Sequence, residues 1–255
     1  MSSLLSTIRN TKAPKPPRLV LYGEHKVGKS SFAASAPNPI FIQTEDGLDA
    51  LSVSAFPLST SFENVMLCIN ELQTQQHDFQ TVVIDSLDWL EDLIHAHTCQ
   101  VNGKKSIEDF GYGKGYAIAL DYWNGFLFSL NQLRLSKNMA VILICHEQVK
   151  RFDNPAAGAS YDRYQPKMRE KAADKMQEWA DAIGFAAMET HVNVEAKTLT
   201  RFANPQSSQR ILHLQESPAF VAGNRYGMPA QIPLEWNAFI MAFMQAFSLP
   251  TQTTL

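Results

Sequence analysis

The chain has 255 residues, of which 45% are hydrophobic and 18% charged, and its net charge is −3. This composition suits a globular domain with a sizeable core. It carries no global basic field, so any contact with nucleic acid must come from local patches. Three scattered cysteines, Cys68, Cys99 and Cys145, exclude a disulfide framework and fit a reducing compartment. No apolar run approaches the ~18 residues of a membrane span. Residues 1–17 lack the apolar region of a signal peptide. Their proline- and lysine-containing end, Thr11 to Pro17, reads as a flexible lead-in. Residues 18–247 are expected to form the domain, residues 248–255 a C-terminal tail, and the cytoplasm is the expected location.

In chain order, Arg18 to Tyr22 predicts a short buried strand, followed by a glycine-containing loop and a helix from Lys29 that ends before Pro37. Pro39 to Gln43 predicts a second strand, and Phe62 to Gln75 a helix with Val65, Ile69 and Leu72 on one face. Thr81 to Asp85 is a third strand with consecutive β-branched residues. Leu87 to Gln100 and Tyr116 to Leu135 predict helices, separated by a Gly/Lys/aromatic loop. Met139 to Cys145 is an apolar central strand. Strands alternating with helices imply an α/β fold, a mostly parallel sheet with both faces covered. Glu147 to Glu170 then reads as a long polar loop and Lys167 to Trp179 as a helix. Phe185 to Val194, Lys197 to Phe202 and Gln209 to Leu214 predict antiparallel strands added at the sheet edge, and Pro233 to Phe247 a last amphipathic helix.

One motif dominates. Gly23-Glu24-His25-Lys26-Val27-Gly28-Lys29-Ser30 satisfies G-x-x-x-x-G-K-[ST] between a predicted strand and a predicted helix, with Ser31 next in the helix. Its glycines let backbone N–H groups turn inward around phosphate oxygens, and the helix N-terminus adds positive potential. Lys29 is placed to reach the β- and γ-phosphates of ATP, and Ser30 to hold Mg²⁺. Asp85, closing the strand Val82-Val83-Ile84, faces the same edge and can orient the metal, usually through water. Its alternative role is to cap the next helix, with Asp88 then competing as ligand. Glu45, just after Ile40-Phe41-Ile42, is the candidate to polarise the attacking water; Asp46 and Asp49 are its rivals. His146, or Gln148 close by, ends the fourth strand where it can feel the γ-phosphate.

Two segments combine cations with rings, as single-stranded DNA binding requires. Asn102 to Tyr116 carries Lys104, Lys105 and Lys114 with Phe110, Tyr112 and Tyr116; Glu147 to Glu170 carries Lys150, Arg151, Arg163, Lys167 and Arg169 with Phe152, Tyr161 and Tyr164. The acids Glu147, Asp153, Asp162 and Glu170 leave the second segment only slightly positive. His95, His97 and Cys99 on one predicted helix lack a partner pair for zinc. Trp123, Phe126 and Phe128, like Trp236, Phe239 and Phe243, fit core packing at helical spacing.

These pieces in this order resemble the RecA-type recombinase core, and Ile40 to Asp49 is similar to the RecA segment carrying its catalytic glutamate, which favours Glu45. More narrowly, Gly111 to Tyr116, Ile144-Cys145-His146, Ala180 to Ile183 and Gly223 to Pro229 resemble phage-encoded RecA-core proteins of the Sak-four single-strand annealing group. The resemblance covers roughly Arg18 to Phe247. It implies an Mg²⁺-dependent, DNA-stimulated ATPase that assembles into a ring or filament and acts on single-stranded DNA in phage recombination, alongside a single-strand-binding protein. Arg225 matches the segment that reaches a neighbour's nucleotide, so it is expected to act in trans. Gly223 stands where a lysine is common, leaving one cation rather than two. The rival readings are a DNA-packaging or helicase-associated motor or loader, a nucleotide-binding regulatory module with protein partners, and a small-molecule kinase.

Overall fold

The computed structural model describes residues 8, 13–154, 158–189, 191–194, 201–204 and 209–248, so most of both expected tails lies outside the described residues. The elements are β1 (Arg18–Gly23), α1 (Lys29–Ala34), β2 (Pro39–Gln43), β3 (Ser54–Ala55), α2 (Phe62–Thr74), β4 (Thr81–Asp85), α3 (Leu87–Val101), a 3-10 turn (Ile107–Phe110) and α4 (Lys114–Ser136). They continue with β5 (Ala140–Asn154), β6 (Ala159–Pro166), α5 (Glu170–Trp179), β7 (Ala182–Met188), β8 (His191–Val194), β9 (Arg201–Asn204), β10 (Arg210–His213), β11 (Gly223–Asn224), β12 (Gln231–Pro233) and α6 (Trp236–Ser248).

The main sheet runs β12-β10-β7-β1-β5-β4-β2-β3. From β7 to β3 every neighbour is parallel, while β10, β11 and β12 add antiparallel pairs at one edge. Alternation along β1 splits the core. Val20 and Tyr22 pack among α2, α3, α4 and α5, whereas Leu19 and Leu21 pack among α1 and α6. In the second layer Phe32 meets Trp236 and Phe239 edge-on, at 5.9 and 6.1 Å between centroids. Chain order and strand order diverge at β1, whose chain leaves for β2 while β5 fills the gap, which opens a crevice at the C-terminal strand ends.

Three expectations are corrected. Glu147 to Glu170 is no loop: β5 runs on to Asn154 and pairs antiparallel with β6, from Glu147↔Pro166 to Asn154↔Ala159. Its charges and Pro155 read as loop, but Val149 and Phe152 on one arm and Tyr161 and Tyr164 on the other suit strands. The single strand expected over Phe185 to Val194 is two: Ala182–Met188 joins the parallel core beside β1, with β10 and β11 antiparallel to it, and His191–Val194 pairs with Arg201–Asn204 in a separate two-stranded sheet. Phe128 is 63% exposed, two residues and ~200° of helical turn from the buried Phe126.

At the N-terminal end of β1 and β7 sits a closed ion cluster. Asp181, 4% exposed, accepts from Arg18 Nη2 at 2.6 Å, Arg18 Nε at 3.1 Å and Arg134 Nη2 at 2.9 Å. Arg225 Nη1 lies 3.7 Å away. Removing one partner of a buried pair leaves the others uncompensated. Asp181→Ala is therefore expected to cost ~3–5 kcal/mol of stability, read from the midpoint of urea unfolding; a shift below 1 kcal/mol would mean that the cluster is solvated.

Candidate nucleotide-binding site

Parallel register brings the ends of β1, β2 and β4 and the His146 stretch of β5 to one edge of the sheet. Gly23 of β1 is opposite His146 of β5, Asp85 of β4 is opposite Ile144, and Gln43 of β2 is opposite Asp85. The loop leaving β1 needs its glycines. Gly23 has φ 152°, and a Cβ there would overlap the Ala186 carbonyl; Gly28 has φ 107°. Lys29 folds back under this loop, donating from Nζ to the Gly23 carbonyl at 2.7 Å and the Glu24 carbonyl at 2.9 Å. Burial pulls the Lys29 pKa down against the opposing pull of Glu147 and Asp85. Glu24, His25 and Lys26 are exposed at the loop tip, while Val27 is buried beneath it.

Ser30 donates its hydroxyl to Asp85 Oδ2 at 2.7 Å. Asp85 is 5% exposed, and burial pushes its carboxyl up although Ser30 and Lys29 both favour the charged form. A hydroxyl and a nearly buried carboxylate at this separation fit a divalent cation, which would relieve that burial. Asp88 is otherwise engaged. It accepts from the Ser86 hydroxyl at 2.9 Å, and both its oxygens lie 2.9–3.1 Å from His146 Nδ1.

His146 is the junction of the site. Its Nε2 stands 3.8 Å from Glu45 Oε1, and its ring stacks on His25 of the phosphate loop at 4.2 Å between centroids. Glu45 is held in place by its neighbours: Thr44 N donates to the Asp85 carbonyl at 2.8 Å, and the Thr44 hydroxyl bonds both Ser86 O and Ser86 N. Burial raises the Glu45 pKa, against His146, which lowers it. Its rivals Asp46 and Asp49 are exposed.

The AAA domain family matches residues 15–226 of the chain. The chain belongs to this AAA domain family. It is thus a P-loop nucleotide-binding protein of the ATP-hydrolysing class. Among curated proteins the chain has no match.

In this AAA domain the two cation-and-ring segments meet at one cavity on the far side of Asp88, where Tyr112 and Tyr116 face Lys150 and Lys167. Tyr112 is fully exposed, and Arg169 lies over the Tyr116 ring at 3.3 Å. Lys104 lies 6.0 Å from the Phe110 ring, Lys105 and Lys114 are exposed, and Arg151 lies 3.7 Å from Asp153. Arg163 is the exception. It is 8% exposed, paired with Glu216 and stacked on Phe152, so it is not open to a strand. Arg225 sits at the opposite end of the sheet from its own phosphate loop, donating to the Glu178 carbonyl.

Sequence reasoning passed over two residues. Glu147, counted there only as loop charge, is the carboxylate that acts most strongly on Lys29, and its Oε2 is buried without a hydrogen-bond partner among the described residues. Arg210, at the start of β10, brings its guanidinium to 2.9 Å from where a Gly28 Cβ would stand. No local pattern marks Arg210; only the β7–β10 pairing delivers it.

The Asp88–His146 pair has a testable pH signature. Burial alone would raise the Asp88 pKa; the His146 hydrogen bond and charge, with Ser86, outweigh it and hold the carboxyl at about 2. The Asp88 bond in turn raises the His146 pKa. The imidazole's contribution to stability is thus complete below its ordinary value of ~6.5 and lost as pH rises through the higher folded value. The carboxylate's contribution is present above ~3.8 and lost as pH falls through about 2. Asp88→Asn is expected to bring the His146 midpoint down, followed by NMR of the ring protons; an unmoved midpoint would refute the pairing.

Proposed function

We propose that this AAA domain is an Mg²⁺-dependent ATPase that acts on single-stranded DNA in phage recombination, by annealing or strand pairing. The observation that carries this reading is the meeting of both cation-and-ring segments beside the His146 end of the nucleotide site. The Ile40 to Asp49 likeness to RecA and the Sak-four resemblance support the recombination role over a motor, a loader or a protein-partnered regulator.

In the proposed cycle the phosphates enter the nest between Gly23 and Ser31, drawing Lys29 from the loop carbonyls it now holds. Ser30 and Asp85 would hold Mg²⁺, which supplies charge neutralisation on the phosphates when bound. Glu45 orients and polarises the attacking water; its raised pKa makes it a better proton acceptor than an ordinary carboxylate. His146, bonded to Asp88 and near Glu45, senses the γ-phosphate and relays its presence to the hairpin that β5 continues into. Arg225 is half-exposed and far from its own loop, a place suited to a neighbour's nucleotide in a ring or filament.

ATP turnover measured with and without single-stranded DNA tests this first. DNA-stimulated turnover that Lys29→Ala abolishes is the expected result; turnover indifferent to DNA would overturn the DNA role and favour a protein-partnered or small-molecule one. Glu45→Gln is expected to slow turnover by roughly 10²–10⁴-fold with ATP still bound, and a rate near wild type would move the base to another group. Arg225→Ala is expected to abolish turnover yet spare ATP binding. If mixing in Lys29→Ala chains, which still carry Arg225, fails to restore any turnover, the trans role is wrong.

A further inference from the structure

The cavity beside Asp88 has a volume of about 760 Å³, within the range of small-ligand sites. It opens between α3, the start of α4, β5 and the turn into α5. The exposed rings of Trp89 and Tyr112 stand at it, 51% and 104% exposed. Lys150 and Lys167 approach from the hairpin side. The wall there is fixed, since Gln148 Nε2 donates to the Pro166 and Met168 carbonyls, both at 3.0 Å.

Four acids line this cavity, Asp88, Glu91, Asp92 and Glu170, against the cations Lys150, Lys167, Arg169 and Lys171. Asp88 is covered by His146 and by Lys167, whose Nζ is 3.7 Å away. Glu91 is buried and accepts the Arg169 amide at 3.0 and 3.2 Å. Burial pushes the Glu91 carboxyl up to about 7, so it carries only part of a charge near neutrality. A carboxyl group there offers an acceptor to an exocyclic amino group such as that of cytosine. Rings for a base, cations for a phosphate and an acceptor at the base edge together describe a nucleotide.

We propose that this cavity is a nucleobase-and-phosphate pocket, filled by one nucleotide of a bound single strand, and that Lys167 reports its occupancy to the ATP site through Asp88. The strand as source rests on the DNA role proposed above; the pocket itself would equally accept a free nucleoside monophosphate. A phosphate that draws Lys167 away leaves Asp88 to His146 and the Ser86 hydroxyl. His146 is also the neighbour of Glu45 and the stacking partner of His25. Three side chains therefore join the pocket to the water-activating carboxylate.

The test uses the full chain, a fluorescein-labelled oligo(dC) read by anisotropy, and free deoxycytidine monophosphate as competitor. Ala117, exposed on α4 and lining the cavity, is changed to Trp to fill it, and Tyr112 is changed to Ala. Each variant is expected to weaken strand binding by about tenfold or more, the scale of one lost base stack, and the monophosphate is expected to compete with the strand. At saturating strand, Lys150→Gln is expected to keep stimulation of ATP turnover, whereas Lys167→Gln loses it. Strand binding that is unchanged in both cavity variants would overturn the pocket while leaving the DNA role standing. Monophosphate binding to the wild-type chain, blocked by Ala117→Trp, with no strand binding would uphold the pocket and overturn the DNA role. Binding of neither would overturn both. Equal stimulation in the two lysine variants would overturn the Lys167 relay.

Discussion

The register of the parallel strands is the constraint on which the site depends. Because β1, β5, β4 and β2 pair in parallel, Gln43, Asp85 and Ile144 share one row, and Gly23 and His146 stand opposite each other two residues further on. A slip of one residue would turn each side chain to the opposite face. It would separate Ser30 from Asp85 and His146 from Asp88. The deep apolar alternation that fixes the register, with Val83, Ile142 and Leu143 fully buried, is therefore also what positions the polar groups. Core packing and site geometry are the same fact viewed from two ends of the strands.

The two ends of the sheet use charge differently. At the N-terminal end Asp181 accepts from both Arg18 and Arg134. At the C-terminal end charges are pressed together without full compensation. Burial alone disfavours the charged forms of Lys29, Asp85 and Glu45, and one Glu147 oxygen is unpaired among the described residues. Such an arrangement is costly in an empty site and becomes favourable once phosphates and a cation supply the missing partners.

Much of this was legible in the chain. The phosphate loop is a local motif whose glycines and lysine are needed at fixed spacing, and β2 and β4 follow from runs of apolar residues with Asp or Gln at their ends. The placement of Asp85 and Glu45 at this edge was legible because a parallel strand delivers its C-terminal end there; Asp85 closes β4 and Glu45 lies two residues past β2. What was hidden depends on pairing between distant segments. The hairpin arm from Glu147 to Asn154 reads as polar because Val149 to Asp153 are all exposed. The short apolar stretch of β7 gives no sign that it lies beside β1. Arg210 reaches Gly28 only through that placement, and Arg163 is buried only because Glu216 and Phe152 close on it.

The role of Asp88 shows why sequence position alone leaves a carboxylate ambiguous. Asp85 and Asp88 lie three residues apart, and either suits a metal on composition alone. The strand ends at Asp85 and the helix begins at Leu87, so the two carboxylates leave different elements in different directions. Asp85 turns to Ser30 and the phosphate loop, whereas Asp88 turns to His146 and Lys167. A carboxylate already held near pKa 2 by an imidazole would have to give up that partner to ligate a metal. The geometry thus divides the pair into an acid facing Ser30 and the phosphate loop and an acid facing His146. The second is the wall that the nucleotide site shares with its neighbouring cavity, where Lys167 meets it.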